Sequence, residues 1–190
     1  MRTLLLAVLW LAGARPAPAA ANDRPSPAAE CLLVIDMQNQ LFEMKQPVYK
    51  AEDLVLAVSN AIRSARRDGL PVIYTQHENK VSLHPGSAGW RIHPDLAPAP
   101  EDPIIRKRHP GVFKDTPLES FLRERGITRV RVCGLISNGC IKDACLDALA
   151  LGFDVILIDN GHSTFFQNAP RLIADWNTLL AGKGVTLRSE

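Results

Sequence analysis

Three residues that could do chemistry together close three separate apolar runs of this chain. Asp36 ends Cys31-Leu-Leu-Val-Ile-Asp36, Lys107 follows Pro103 to Ile105, and Cys140 follows Val130 to Cys133 and a glycine-containing turn. A cysteine at the start of a helix has a physical reason to react. Unpaired backbone N–H groups and about half a positive charge gather there. Both favour the thiolate, which is the nucleophilic form. The same N–H groups can hold the oxyanion that forms when sulfur attacks a carbonyl. A lysine nearby would deepen the acidity of the thiol. An aspartate in an apolar strand end could take the thiol proton and deliver it to a leaving amine. Each residue also has a plain structural account. Free cysteines mostly pack as small hydrophobes, and an acid closing a buried strand can serve as a helix cap. Lys107 stands in the run Arg106-Lys107-Arg108, and runs of charge are usually solvated faces. Spacing alone does not choose Lys107 over its neighbours.

The elements that must position these residues read as alternating strands and helices. Cys31 to Asp36 is continuously apolar, as in strands buried on both faces of a parallel sheet. Ala51 to Asp68 carries Leu54, Val58, Ile62 and Ala65 at helical spacing and stops at Gly69. Further strands are expected at Pro71 to Thr75, Pro103 to Ile105, Thr128 to Cys133, Phe153 to Ile158 and Val185 to Leu187. Helices are expected at Thr116 to Arg125, Asn138 to Leu151 and Ala169 to Ala181. The first of these starts with Thr116 as N-cap, Pro117 at the first position and Glu119 completing a capping box. The pattern predicts a three-layer α/β sandwich, with a mostly parallel six-stranded sheet and helices on both faces, in a Rossmann-like arrangement. Ligands of such sheets bind beyond the carboxyl ends of the strands, where Asp36, Lys107 and Cys140 all fall. The irregular stretch Gln76 to Asp102 is long enough to suggest a functional loop.

The whole chain narrows the partners. Its 190 residues are 46% hydrophobic and 22% charged, as expected of one globular domain. Residues 1–21 read as a secretory signal: Arg2, the apolar run Leu4 to Ala12, then small residues ending at Ala21. The apolar run is shorter than the roughly 20 residues that span a bilayer. Cleavage is expected after Ala19 or Ala21, giving an exported protein, periplasmic or secreted, with no membrane partner after cleavage. Residues 22–29 form a Pro/Ala leader, and 30–190 one domain. Residues 1–21 take Arg2 and Arg15 from the 22 basic residues, leaving 20 against 20 acidic ones. A near-neutral domain gives no reason to expect nucleic acid or an anionic surface as partner. The four cysteines show neither CxxC nor zinc spacing and are expected to be free, with a Cys31–Cys133 bridge left open.

Three stretches together resemble the isochorismatase-like cysteine hydrolase superfamily, which includes isochorismatases, nicotinamidases and streptothricin hydrolases. They are LLVIDMQNQLF (32–42), IIRKRHPGVF (104–113), and VRVCGLISNGCIKDACLD (130–147) with its continuation to HST. The resemblance implies a catalytic triad of Asp36, Lys107 and Cys140. Lys107 stands six residues before Phe113, as the family lysine does before its phenylalanine. It further implies a non-proline cis peptide at Leu135–Ile136, which aims the N–H groups of Ile136 and Cys140 at the oxyanion. The implied reaction is hydrolysis of a C–N bond, amide or lactam, of a small molecule through a thioester. Homo-oligomers are common in the family. Gly139 before the nucleophile, Ser137 in place of the common Thr, and Gly111 and Val112 depart from the usual pattern and bear on substrate identity.

No cofactor or metal is expected, because the Asp-x-His pattern that holds metal in nicotinamidases is absent at Thr75-Gln76-His77-Glu78. His77, His84 and His93 stand as lone loop histidines. Phe42, His77 and Trp90 are the candidates for lining the pocket, with core or surface packing an equal account of each. Two alternatives remain. One is a vinyl ether hydrolase of the isochorismatase type, which the presence of Cys140 and the export signal disfavour. The other is a catalytically silent binding protein on the same fold.

Overall fold

The computed structural model describes residues 29–189. The expected secretory signal and most of the leader lie outside the described residues. Six strands, β1 (Ala29–Ile35), β2 (Val72–His77), β3 (Ile104–Lys107), β4 (Ile127–Leu135), β5 (Asp154–Ser163) and β6 (Thr186–Arg188), form one sheet. Its order is β3-β2-β1-β4-β5-β6, and every neighbouring pair is parallel. The helices are α1 (Asn39–Phe42), α2 (Ala51–Arg67), α3 (Leu118–Glu124), α4 (Lys142–Ala150) and α5 (Ala169–Gly182). The expected α/β sandwich is the fold.

Strand periodicity sorts the core into two layers. Along β1, Cys31, Leu33 and Ile35 face one side with Leu118 and Leu122 of α3, Ala144, Cys145 and Ala148 of α4, and Leu180 of α5. Leu32 and Val34 face the other side with Leu54, Val58, Ala61, Ile62 and Ala65 of α2. The residues between Cys31 and Ile35 are fully buried, which is why this strand reads as unbroken hydrophobicity rather than alternation. Burial of each such side chain contributes about 1.5–3 kcal/mol.

The chain runs outward from β1 through β2 to β3, then returns to the far side of β1 as β4. Strand order therefore reverses between β1 and β4. In an open parallel sheet that reversal leaves a crevice at the carboxyl ends of the two strands. The two strands approach closely at one point. Gly134 pairs with Ile35 and has φ +120°. A Cβ there would lie 2.1 Å from the Ile35 carbonyl oxygen.

Several local expectations are corrected. The helix expected from Asn138 begins at Lys142. It is preceded by a widened turn, Ser137–Ile141, in which Gly139 takes non-helical angles of −131° and −113°. No capping box forms at α3, because Glu119 pairs instead with Arg123 at 2.8 Å. Thr116 Oγ1 accepts from the Leu118 N–H at 3.3 Å and donates to the Val112 carbonyl. The strand expected to stop at Ile105 runs to Lys107, and β5 continues to Ser163. All four cysteines are free. Cys31 and Cys133 occupy neighbouring strands, but Val34, not Cys31, is the register partner of Cys133. The two thiols lie in opposite core layers, so the bridge left open by the sequence does not form.

Candidate active site

The crevice between β1 and β4 brings the three sequence candidates into contact. The Lys107 ammonium donates to Asp36 Oδ2 at 2.7 Å and to Cys140 Sγ at 3.3 Å. Lys107 thus joins the carboxylate to the sulfur, and the Asp36 charge acts on the thiol. Why Lys107, and neither adjacent arginine, reaches inward follows from the pleat of β3. Ile105 and Lys107 are buried on one face, while Ile104 and Arg106 are exposed on the other. The Lys107 side chain is 0% exposed. It meets the carbonyls of His109 at 3.2 Å and Pro110 at 3.3 Å, and His77 Nδ1 at 3.4 Å. Burial alone would lower the Lys107 pKa; Asp36, and then Cys140, more than offset this and hold it above its ordinary value.

Asp36 leaves β1 with φ +48°, a left-handed conformation that Asp tolerates better than most residues. Thr75, near the end of β2, fixes it from two sides. Its hydroxyl accepts from the Asp36 N–H at 3.1 Å and donates to Asp36 Oδ1 at 2.6 Å. The sequence reading missed Thr75. The available signal was a small buried-strand hydroxyl near the carboxyl end of β2, where polar residues begin.

Gln38 was missed as well. It is fully buried. Its Oε1 accepts from the His77 N–H at 2.9 Å, and its Nε2 donates to the carbonyls of His77 at 3.0 Å and Trp90 at 2.8 Å. The amide thus pairs with the end of β2 as a neighbouring strand would. Burial, then the Lys107 charge, pushes the pKa of His77 down, so its ring stays neutral and accepts from Lys107.

The resting thiol differs from the sequence expectation. Burial, and then the Asp36 charge, push Cys140 up to about 12 from 9.0, with Lys107 opposing. A cysteine held this way rests as the thiol. Regular helix starts two residues later, at Lys142. The peptide Leu135–Ile136 is cis. The Ile136 carbonyl takes up the N–H groups of Gly139 at 3.0 Å and Ile141 at 3.2 Å.

Lys107 lines a polar cavity of about 430 Å³ with Glu78, Arg106, Arg108, His109 and Asp115. Glu78 is held by Arg106 at 2.6 Å and Arg108 at 2.9 Å. Of the three pocket candidates, His77 is at the site through Lys107. Phe42 stands apart from this cavity, whereas Trp90 packs behind Arg106, which lines it. Phe42 lines a second cavity with Val55 and Leu56 of α2 and packs against His93, ring centroids 5.0 Å apart. Trp90 carries the Arg106 guanidinium 5.2 Å from its ring centre. Among the described residues, no group of three or more His, Cys, Asp or Glu side chains is arranged to hold a metal ion.

A sequence model of the isochorismatase domain matches residues 30–174. The chain belongs to the isochorismatase family. Within that family it is 30% identical over 164 residues to a streptothricin hydrolase of Streptomyces noursei, covering 85% of this chain and 64% of that protein. The chain therefore spans a little under two thirds of that relative's length. It is 28% identical over 189 residues to a ureidoacrylate amidohydrolase of Variovorax paradoxus, covering 76% of this chain and 75% of the other. The crystal structure of an isochorismatase family protein superposes with a TM-score of 0.80 at 27% identity, covering 85% of this chain and 98% of that one.

Proposed function

We propose that this isochorismatase-family chain is a cysteine hydrolase that cleaves a C–N bond, amide or lactam, of a small molecule. The observation that carries the reading is the contact of Lys107 with both Asp36 and Cys140 at the sheet's switch point. Two of the relatives are a streptothricin hydrolase and a ureidoacrylate amidohydrolase, which favours the same reaction class.

The resting thiol dictates the order of events. As Cys140 Sγ attacks the substrate carbonyl, its proton passes to the Asp36 carboxylate. The N–H groups of Ile136 and Cys140 take the developing oxyanion. The tetrahedral adduct collapses, the C–N bond breaks, and the Asp36 proton leaves on the amine. Water then attacks the thioester and gives its proton to Asp36. The acid departs, and the thiolate recovers that proton. Lys107 holds Asp36 and the sulfur in place and balances the negative charge passing between them.

The test is product release from a panel holding simple primary amides, ureidoacrylate and streptothricin, with wild type beside Cys140→Ala. Release by wild type alone, with an acyl adduct on Cys140 by mass spectrometry, is the expected result. Equal release by both proteins would refute the reading. The same proposal places the protein outside the cytoplasm, on the strength of residues 1–21. Expression with the native N-terminus should give an exported chain whose mass starts at Ala20 or Asn22; an intact intracellular chain would overturn this.

A further inference from the structure

Beneath the nucleophile lies a buried polar chain that the proposed reaction does not use. Ser137 Oγ is 2.8 Å from His162 Nδ1, and His162 Nε2 is 2.9 Å from Asn177 Oδ1. Ser137 is in the turn before Cys140, His162 near the end of β5, and Asn177 in α5. Ser137 and His162 are 0% and 4% exposed. Asn177 Oδ1 only accepts, so Nε2 carries the imidazole proton and Nδ1 receives the serine hydroxyl. Burial pushes His162 down to about 4 from 6.5, in keeping with this neutral tautomer. A second tether runs alongside: Thr164 Oγ1 donates to Asn138 Oδ1 at 3.0 Å.

The turn needs such tethers. Gly139 leaves helical geometry, so the regular ladder that would fix Cys140 starts only at Lys142. Ser137 and Asn138 are the two residues between the cis peptide and Gly139, and both are anchored to the end of β5. An apolar side chain at 162 would fill the space without the cost of burying an imidazole. A fully satisfied polar chain instead selects one arrangement of the segment that bears it.

Resting on the cysteine-hydrolase reading, we propose that His162 is a positioning residue for Cys140. Through Ser137 it ties the turn carrying the sulfur and the oxyanion N–H groups to α5.

The test uses p-nitrophenyl acetate as an acylating probe. Sγ forms a bond to the acetyl carbon, the ester C–O bond breaks, p-nitrophenolate leaves, and the thiol proton passes to Asp36. The burst is read in wild type, Cys140→Ala, Ser137→Ala, Ser137→Thr, His162→Leu, and the double variant Ser137→Ala/His162→Leu, each with its thermal midpoint. The maximal acylation rate should fall about 100-fold in Ser137→Ala and in His162→Leu with the half-saturating concentration unchanged, the scale expected of a nucleophile misplaced by about 1 Å. Ser137→Thr, which keeps the hydroxyl, should stay within about threefold of wild type, and the double variant should lose no more than either single one. Should His162→Leu fail to fold, Ser137→Ala and its threonine rescue carry the test. Wild-type rates in the single variants, or losses that multiply in the double, overturn the inference alone. A wild-type burst that is absent, or that survives Cys140→Ala, overturns both it and the cysteine-hydrolase reading.

Discussion

Lys107 and Asp36 form an ion pair that almost no water reaches, and the sulfur completes it. Removing one member of such a pair leaves a buried charge without a partner, a loss of about 3–5 kcal/mol. Lys107→Met should therefore lower unfolding stability by that order, read from urea denaturation. Asp36→Asn/Lys107→Met, which removes both charges, should recover much of it, whereas activity should be lost in both. Gly139 gains a partial account at this scale. A Cβ there would sit 3.0 Å from Ile136 Cγ1, a side chain that can yield by a few tenths of an ångström. Gly139→Ala should thus leave the thermal midpoint within a few degrees of wild type while displacing the residue assigned to the oxyanion. A kcat loss without a comparable loss of stability is the expected outcome.

Among the elements, β1 and β4 matter most, because their carboxyl ends carry Asp36 and the Cys140 turn. Their close approach depends on Gly134. With a Cβ at that position overlapping the Ile35 backbone, Gly134→Ala must push the strands apart next to Asp36. It should yield insoluble protein, or soluble protein with a thermal midpoint lowered by more than 10 °C, since about 1 kcal/mol shifts a domain of this size by roughly 2–4 °C and the overlap costs several times that. A midpoint unchanged from wild type would show that the sheet accommodates the methyl. The segment between β2 and β3 is held to the same end of the sheet by Gln38 and by an antiparallel bridge from Gln38 to Ile92, so its length reflects a structured wall of the crevice.

For the molecule as a whole, the buried titratable groups set a pH window. His162 is depressed to about 4 from 6.5, so below pH 6.5 the unfolded chain takes up a proton that the folded chain refuses. Its contribution is complete above pH 6.5 and lost as pH falls toward 4. Cys31, Cys140 and Cys145 are raised to about 12 from 9.0, chiefly by burial. Their contribution is complete below pH 9 and lost as pH rises toward 12. Unfolding free energy from denaturant titrations should therefore form a plateau between about pH 6.5 and 9 that falls on both sides, and Cys145→Ala should shallow the alkaline limb.

Much of this was legible in the chain itself. The apolar run of β1, the helical spacing of α2 and the turn residues between elements are local signals, and they determined the alternating pattern and hence the layered α/β fold. The three reactive residue types at strand ends, with their family motifs, also picked out Asp36, Lys107 and Cys140. Tertiary structure decided what depends on neighbours distant in sequence. The pleat of β3 chose Lys107 over two arginines only once the strand extended to it. Thr75, Gln38 and His162 meet partners 15 to 52 residues away, which no local pattern encodes. The protonation of Cys140 was likewise decided by burial beside Asp36. A helix terminus can be read from a few adjacent residues, whereas the desolvation of a thiol exists only once the chain has closed around it.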